Sequence, residues 1–294
     1  MKQNNMNPWF LTGFTDGECS FSINIYKDNT LKSGFNVQLF FSINLHSKDF
    51  AILENIKSYF GVGYINKHTQ QSLQFRVISI KDLKVVINHF DKFPLLTQKR
   101  ADYELFKEAY SRMLNKEHLT MKGLYKIVAI KASMNRGLSE ELKIAFPPGE
   151  GDVLPVPRPA VVDQEIKDPN WLAGFTSAEG CFMVRVYESS SIYQLIFKLT
   201  QHSRDEQLMR SLIQYWDCGN VYKYREAIEF RIQKFSDITH KIIPFFNKYP
   251  IHGIKALDYA DFVKVADIMK VKGHLTAEGL VQIRKIKAGM NKGR

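Results

Sequence analysis

The residues best suited to do chemistry in this 294-residue chain are two glutamates, Glu18 and Glu179. Each ends a copy of the same short segment: residues 11–18 read LTGFTDGE and residues 172–179 read LAGFTSAE. A strand pattern follows each copy at once. Carboxylate oxygens are the ligands that hard divalent cations such as Mg²⁺ take in proteins. The two matched carboxylates are therefore a candidate site, and the rest of the sequence must supply the elements that position them.

Each repeated segment is predicted to be a helix that is locally weak, since glycine costs ~1 kcal/mol relative to alanine in a helix. The first copy carries Gly13 and Gly17, and the second carries Gly174 together with two alanines. The simplest explanation for residues without large side chains in a helix is that they allow two helix backbones to approach closely. We therefore predict that the two helices pack face to face and bring their C-terminal glutamates together on one rim.

The repeat extends far beyond these segments and divides the chain into two similar halves. The matched stretches are residues 46–49 and 202–205, 75–77 and 230–232, 90–94 and 246–250, and 118–135 and 274–291. Two copies indicate a pseudo-dimer within one chain, with the two-fold logic of a symmetric dimer. A proline-rich stretch separates them and is predicted to be an extended linker. We predict an N-terminal half-domain over residues 1–147, a linker over 148–167 and a C-terminal half-domain over 168–294.

Within each half, the hydrophobic period alternates between that of strands and that of helices. Phe21, Ile23 and Ile25 alternate with polar residues, which predicts a half-buried strand, and residues 38–45 predict a second one. The order that emerges is helix, two strands, helix, two strands and further helices. The predicted fold class is α+β, with two αββαββα repeats that each form an antiparallel sheet covered by helices on its apolar face.

The overall charge indicates a polyanionic partner. The chain has a formal net charge of +11, which favours nucleic acid over a membrane surface. Its three cysteines lack CxxC spacing, so zinc and a disulfide framework are not expected. An apolar run of ~18 residues, as a membrane span requires, is absent from the sequence. Residues 1–7 are polar and do not resemble a signal peptide.

The sheet face that the helices leave uncovered is predicted to contact DNA. It is rich in Asn, Gln, Arg, Lys and Ser, which are side chains that bind base edges in the major groove. Any solvated sheet face is polar, but the enrichment in amides occurs in both halves and favours recognition. The predicted DNA-contacting residues of the first half are Ser20, Ser22, Asn24, Tyr26, Asn36, Gln38, Phe40, Ser42, Gln74 and Arg76. Those of the second half are Met183, Arg185, Tyr187, Ser189, Gln194, Ile196, Lys198, Glu229, Arg231 and Gln233.

The two Leu-x-Gly-Phe-Thr-x-x-Glu segments, with their strand sets and matched ends, resemble the signature helices of single-chain LAGLIDADG homing endonucleases. The similarity is closest to the monomeric group encoded in fungal mitochondrial introns. It implies a saddle of antiparallel sheets with the two signature helices at the domain interface. It also implies a site-specific endonuclease that binds ~20 bp of duplex DNA and hydrolyses both strands to leave short 3′ overhangs. The expected protein acts as a monomer in mitochondria, without a protein partner or a membrane.

The resemblance also assigns roles to residues. Glu18 and Glu179 would bind Mg²⁺ between enzyme and phosphates, with help from the backbone carbonyls of Gly17 and Ala178. Mn²⁺ would substitute, whereas Ca²⁺ would support binding without cleavage. In the second half, Gln201 and Lys234 occupy places where the family often keeps a water-positioning glutamine and a catalytic lysine. The first half has Leu45 and Ser79 at the matched places, so the two strands would be cut at unequal rates.

Other residues depart from the family pattern or have a bland interpretation. Cys19 replaces the glycine that usually closes the signature, and Thr12 and Ser177 replace small and acidic members. A glutamate at a helix C-terminus opposes the helix dipole and could be a solvated acid, but two at matched places in a basic chain favour catalysis. The paired histidines are interpreted as helix-entry and packing residues: His46, His202, His118 and His274. The alternative functions are an RNA maturase that binds its own intron RNA, with or without cleavage activity, and a non-cleaving DNA-binding protein.

Overall fold

The computed structural model describes residues 6–147, 153–187 and 192–291. By its internal contacts the chain divides into two compact units. The first consists essentially of Glu18–Asp163, and the second combines Asn7–Gly17 with Gln164–Arg294. The predicted boundary placed all of residues 1–147 in one half-domain. The first signature segment instead groups with the second unit, because its backbone lies directly against the second signature segment.

Along the first half of the chain, helices and strands follow the predicted order. The elements are α1 (Pro8–Glu18), β1 (Cys19–Lys27), β2 (Phe35–His46), α2 (Phe50–Phe60), β3 (Tyr64–Lys67), β4 (Ser72–Val77), α3 (Ile80–Lys92), α4 (Lys99–Leu114), α5 (Met121–Ala132) and α6 (Glu140–Ala145).

The second half repeats this order. Its elements are α7 (Pro169–Glu179), β5 (Gly180–Tyr187), β6 (Ile192–His202), α8 (Glu206–Trp216), β7 (Asn220–Tyr224), β8 (Ala227–Ile232), α9 (Phe235–Asp237), α10 (Ile243–Lys248), α11 (Ile254–Lys270) and α12 (Ala277–Ala288). A π-helical turn at Ile238–Ile242 joins α9 to α10.

Each unit contains one four-stranded antiparallel sheet. The strand order is β1-β2-β4-β3 in the first sheet and β5-β6-β8-β7 in the second. The long central strands pair in matched register: Phe21 lies opposite Phe41, and Phe182 lies opposite Phe197. The predicted α+β class with two αββαββα repeats is therefore confirmed.

Clusters of aromatic rings on one face of each sheet form the two cores. In the first unit the ring centroids of Phe21 and Phe41 are 5.3 Å apart, and those of Phe182 and Phe197 in the second are 5.2 Å apart. All four side chains are essentially inaccessible to solvent. Burying each phenylalanine stabilises the fold by ~1.5–3 kcal/mol. Helices α3 and α4 cover the first cluster, and α10 and α11 cover the second.

The repeated Met-Asn turns attach the end of α5 to β1 in the first unit and the end of α12 to β5 in the second. Asn135 adopts a left-handed conformation with φ of 49°, donates its backbone N–H to buried Asp102 at 2.9 Å, and donates its side-chain N–H to the Phe21 carbonyl at 2.9 Å. The same contacts recur in the second unit among Asn291, Asp258 and Phe182. The Met-Asn motif thus provides hydrogen-bond partners for backbone groups of the turn and of the first strand.

The predicted linker is extended but packed. Residues 153–168 form neither helix nor strand, yet Val153 and Val161 are buried. Arg158 donates two hydrogen bonds to the carboxylate of Asp102, at 2.8 Å each. A bidentate pair with a buried carboxylate is strong and directional. This contact fixes the middle of the linker on the first unit, a finding that proline content alone did not indicate.

Candidate functional site

Two helices organise the candidate site, and each begins at a capping side chain. The side chain of Asn7 accepts a hydrogen bond from the N–H of Trp9 at 2.8 Å. Asp168 accepts one from the N–H of Asn170 at 2.8 Å, and Pro169 occupies the first turn of α7. Such caps satisfy amides that a helix N-terminus leaves unpaired. The sequence thereby fixes the start of α1 and α7 one helix length before each glutamate.

Helices α1 and α7 touch backbone to backbone at their glycines. A Cβ atom on Gly13 would lie 1.8 Å from the carbonyl oxygen of Trp171, and one on Gly174 would lie 2.0 Å from that of Phe10. Only a residue without a side chain fits at either position. The predicted close approach of the two signature helices is thus what the structure shows. We call this contact the glycine seam, defined by Gly13 and Gly174.

Buried groups on both sides hold the glycine seam together. The indole N–H of Trp171 donates to the carboxylate of Asp16 at 2.8 Å, and both side chains are buried. Ser177 donates its hydroxyl to the Ala173 carbonyl at 2.8 Å and accepts from the N–H of His252 at 3.1 Å. A buried hydrogen bond to a charged group contributes ~1.5–3 kcal/mol. The atypical Ser177 thus has a packing role.

At the C-terminal end of the seam, α1 meets the carboxylate of Glu179. A Cβ atom on Gly17 would lie 2.4 Å from the Ala178 Cβ and 3.2 Å from the Glu179 Oε1. Gly17 thus leaves room for this carboxylate, and Glu18 is the next residue of the chain. Both glutamates are half-buried rather than fully solvated. A carboxylate beside helix C-terminal carbonyls is electrostatically unfavourable and calls for a nearby cation.

A lysine that sequence analysis missed lies at this end of the seam. The ammonium of Lys255 donates a hydrogen bond to the Ala178 carbonyl at 2.6 Å. Lys255 is held there by the start of α11, which begins after Gly253, a residue with φ of 76°. A cation at a helix C-terminus stabilises the carbonyls by ~0.3–1 kcal/mol. The carbonyl assigned to Ala178 as a metal ligand is therefore already engaged by an ammonium.

Strand register separates the two accessory residues predicted in the second half. Leu199 pairs with Gly180, the residue after Glu179, so Gln201 continues β6 alongside the end of α7. Phe230 of β8 also pairs with Leu199, and β8 runs antiparallel to β6. Lys234 lies four residues after Phe230, so it is about 13 Å from the level of Leu199, on the side away from Gln201. Lys234 is exposed and close enough to Cys218 to influence its thiol. The lysine with a hydrogen bond to α7 is Lys255, and a catalytic role for Lys234 stays a prediction.

The first-half residues predicted to contact DNA share one face of the first sheet. The direct cross-strand pairs are Ser20 with Ser42, Ser22 with Phe40, Asn24 with Gln38, Tyr26 with Asn36, and Ser42 with Arg76. The guanidinium of Arg76 lies 3.9 Å above the centre of the Phe40 ring. Two further residues of β3, Tyr64 and Asn66, extend the same face because they pair with Arg76 and Gln74.

The second-half residues are arranged in the same way. Met183 pairs with Ile196, Arg185 with Gln194, and Lys198 with Arg231. Gln233 follows the end of β8, Ser189 lies outside the described residues, and only the backbone pairing of Tyr187 is described. Four of the residues predicted to contact DNA are buried, although we expected this face of each sheet to be uncovered. Longer side chains on the same face lie beside them and cover them. The four residues are Ser42, Gln74, Ile196 and Glu229.

Glu229 is buried because two cations cover it. Lys198 donates to its carboxylate at 2.8 Å, and Arg231 donates through Nε at 2.7 Å and through a terminal nitrogen. Burial alone would raise the pKa of the Glu229 carboxyl, but the hydrogen bonds from Lys198 and Arg231 outweigh burial and lower this pKa. We call these residues the Lys198–Glu229–Arg231 triad. It leaves one excess positive charge on the sheet face.

The remaining candidate residues are histidines and cysteines. The Nδ1 atoms of His118 and His274 are buried without a hydrogen-bond partner among the described residues. His46 and His202 each accept a backbone N–H two residues later at 3.2 Å, at the entry of a short 3₁₀ helix. Cys19 is buried, and burial raises the pKa of the Cys181 thiol. Within residues 6–147, 153–187 and 192–291, His, Cys, Asp and Glu side chains do not gather in threes around a possible metal position. Over the same ranges, the helices include none long and apolar enough to cross a membrane.

Comparisons with known proteins agree with this geometry. Residues 11–110 and 172–266 match the family model described as LAGLIDADG endonuclease. Two similar proteins of Neurospora crassa are Probable intron-encoded endonuclease 3, 42% identical over 287 residues, and Probable intron-encoded endonuclease 2, 40% identical over 297 residues. These alignments cover 95% and 96% of this chain. The chain spans 53% and 64% of the lengths of these two relatives.

Two solved structures are similar over nearly the whole chain. The meganuclease I-SmaMI bound to uncleavable DNA superposes with a TM-score of 0.95 at 45% identity, covering 99% of both chains. The homing endonuclease I-GzeII in complex with its DNA target has a TM-score of 0.92 at 41% identity, covering 98% of this chain and 99% of that one. The similarity therefore includes both sheets and both helices of the glycine seam.

Proposed function

The chain belongs to the LAGLIDADG endonuclease family, and from this premise we propose that it is a site-specific endonuclease that cuts both strands of duplex DNA. The recognised site spans ~20 bp, about two turns of the duplex, and the products carry short 3′ overhangs. I-SmaMI and I-GzeII have been crystallised with DNA, which supports duplex DNA as the ligand of this chain as well.

One observation carries the proposal: the glycine seam ends at a half-buried glutamate that has a lysine beside it. Gly17 makes room for the Glu179 carboxylate, and Lys255 binds the carbonyl of the preceding residue. A glutamate with only a structural role at a helix end would not require the absence of a side chain at Gly17. A carboxylate and an ammonium at one place instead suit the chemistry of a phosphodiester, which needs both a metal ligand and a positive charge.

The oxygen donors fit a Mg²⁺ ion. Mg²⁺ keeps several waters and is usually held by one or two carboxylates together with substrate phosphate, so Glu18 and Glu179 would suffice. When bound, it would activate a water and stabilise the leaving 3′ oxygen. A similar structure, that of I-SmaMI with uncleaved DNA, was obtained in the presence of calcium ions. We propose the same division here: Mg²⁺ and Mn²⁺ support cleavage, and Ca²⁺ supports binding alone.

The protein's own groups have separate tasks in this reaction. Hydrolysis adds a water oxygen to phosphorus and breaks the bond between phosphorus and the 3′ oxygen, which leaves as a hydroxyl. Lys255, already anchored to α7, would offset the charge that develops on the phosphate, and Gln201 would orient the water from the adjoining end of β6. The sheet faces position the duplex, with residues such as Asn24 and Gln38 towards the bases and surface lysines on the phosphates.

Conservative variants of the glutamates provide the test. A cleavable target is first selected from randomised duplex DNA with the wild-type protein and Mg²⁺. Glu18→Gln and Glu179→Gln should each abolish cleavage of that target, while its affinity in Ca²⁺ stays within about threefold of wild type, since each replaces only one charge. Glu54→Gln, on the exposed surface of α2, is a matched control and should cut normally.

Other results would select an alternative. Selective DNA binding without cleavage by the wild type in Mg²⁺ would indicate a non-cleaving DNA-binding protein, and preferential binding of the host intron transcript would indicate a maturase.

The salt dependence of DNA binding tests the proposed duplex contact. With ~8 phosphates neutralised, the logarithm of the affinity should fall against the logarithm of the salt concentration with a slope of about −7. A relative of Podospora anserina is described as a protein in ND4 intron 1, and we accordingly propose a mitochondrial location. In size-exclusion chromatography, a single peak with the mass of one chain bound to one duplex would support action as a monomer.

A further inference from the structure

The Lys198–Glu229–Arg231 triad is built into the face that we propose contacts DNA. Lys198 and Arg231 are direct cross-strand partners, and Glu229 lies two residues before Arg231 on the same face of β8. Glu229 is 6% exposed, and its carboxylate is covered by the two cations that bind it. An acid on a surface that approaches phosphates is unfavourable unless it serves a specific purpose. The position of Glu229 therefore needs a functional explanation.

The geometry of Arg231 supplies that explanation. Its Nε and one terminal nitrogen donate to Glu229, and its guanidinium lies 4.7 Å from the centre of the Tyr222 ring. The acid occupies the edge formed by Nε and one terminal nitrogen. The outer edge is formed by the two terminal nitrogens, and one of these also makes a long 3.4 Å hydrogen bond to the Tyr224 hydroxyl, which a base acceptor would replace. An arginine held on one edge by a carboxylate and on one face by an aromatic ring loses little freedom when it binds. The fork that remains matches the two acceptors O6 and N7 of guanine.

The matched place in the first unit lacks this device. Register places Gln74 where the second sheet has Glu229, and Ser42 where it has Lys198. Arg76 corresponds to Arg231 but stacks on Phe40, and its Nε is buried with no hydrogen-bond partner among the described residues. The two halves thus share the arginine and differ in whether an acid orients it.

We propose that the triad is a preformed guanine-binding site, in which Glu229 orients Arg231 and Lys198 toward a G·C base pair in the second half of the target. This rests on the proposed DNA-binding function. Glu229 is a positioning residue here, because it contacts the two donors rather than the base. The site selects sequence more than it adds affinity, since the carboxylate cancels one of the two charges that would otherwise attract any phosphate.

The experiment compares two variants on a panel of duplexes. The probe is the duplex that wild-type protein selects from a random pool in Ca²⁺, together with every single-base-pair replacement of it. Wild type should show at least one second-half G·C pair whose replacement weakens binding about tenfold or more, as expected for a bidentate arginine–guanine contact. Glu229→Gln should reduce that penalty to below about threefold while its affinity for unrelated duplex stays equal or rises.

A second triad on the same unit is the matched control. Glu206 binds Arg210 at 2.7 Å and Lys223 at 2.9 Å, but it lies at the start of α8, on the helix-covered side of the sheet. Glu206→Gln should leave the base profile unchanged.

Three results would overturn the inference. An unchanged profile in Glu229→Gln would contradict it, as would a loss of affinity that is uniform over all duplexes and so indicates a phosphate contact. A wild-type profile without a second-half guanine preference would contradict it too. If the wild type selects no sequence at all, the proposed DNA-binding function fails together with the inference; in the other cases that function stands.

Discussion

The glycine seam makes a prediction that can be worked out from the structure. Gly174→Ala adds a methyl group whose carbon would lie 2.0 Å from the carbonyl oxygen of Phe10. Ordinary contact begins near 3.4 Å, so α1 and α7 must separate by about 1.4 Å at this point. The obstacle is backbone and cannot rotate away. The substitution therefore tests whether the position of the two helices is set by the absence of side chains.

The energetic balance is unfavourable although alanine is the better helix former. Overpacking a buried contact costs ~1–3 kcal/mol, and a rigid backbone oxygen places this site at the upper end. Alanine returns ~1 kcal/mol of helix propensity. We expect a net loss of about 2 kcal/mol in the free energy of unfolding. A displacement of ~1 Å at a reacting centre costs ~100-fold in rate, so cleavage should fall by a similar factor.

Urea unfolding followed by tryptophan fluorescence measures the stability, because Trp171 is buried at the seam. Cleavage of the selected target in Mg²⁺ measures the rate. The control is Gly289→Ala, where the nearest atom to an added Cβ is 3.6 Å away. This variant should match wild type in both assays. Our account of the seam would be refuted if Gly174→Ala unfolded at the wild-type urea concentration and cut at the wild-type rate.

Two further predictions concern His89 and Lys255. Burial lowers the pKa of His89 to about 3 from an ordinary 6.5, so the unfolded chain binds a proton that the folded one refuses, and stability is complete above pH 6.5 and lost as pH falls toward 3. Between pH 7.5 and 5.0 this protonation lowers the free energy of unfolding by ~2 kcal/mol. The loss should disappear in His89→Gln and persist in His68→Gln, the exposed control. Equal pH dependence of the two variants in urea unfolding would contradict the prediction. Lys255→Met should slow cleavage ~100-fold or more, as loss of a positioned charge does, whereas Lys234→Met should have little effect. The opposite order in single-turnover assays would favour Lys234 as the catalytic lysine.

The sequence predicted the fold well because its signals are local and occur twice. Alternation in residues 19–27 and again in residues 180–187 identifies a strand with one buried face, and agreement between two copies removes the ambiguity that a single short run would have. The glycine seam was predictable for the same reason: Gly13 and Gly174 are paired across the repeat, and a helix tolerates such residues only where they have a use.

Features that depend on register could not be predicted in this way. Glu229 was expected to be an exposed contact residue, but its burial follows from which residues lie opposite it on β6. Thr200 is its direct partner, and Lys198 lies diagonally across and reaches its carboxylate, although the two residues are 31 positions apart in sequence. The linker is a similar case, since nothing near Arg158 in the sequence indicates that Asp102 is its partner. Charge partners that are distant in sequence need the three-dimensional structure.

The choice between Lys234 and Lys255 shows what signal the sequence did carry. A chain with two matched glutamates needs its accessory groups at matched places if both are to act. Lys234 has Ser79 as its counterpart, whereas Lys255 has Lys99, each three residues before a buried aspartate, Asp258 or Asp102. Lys99 begins α4 as Lys255 lies in the first turn of α11. Symmetry within the chain is therefore a better criterion for the lysine than distance from a strand end, and it extends the expected loss of cleavage to Lys99→Met.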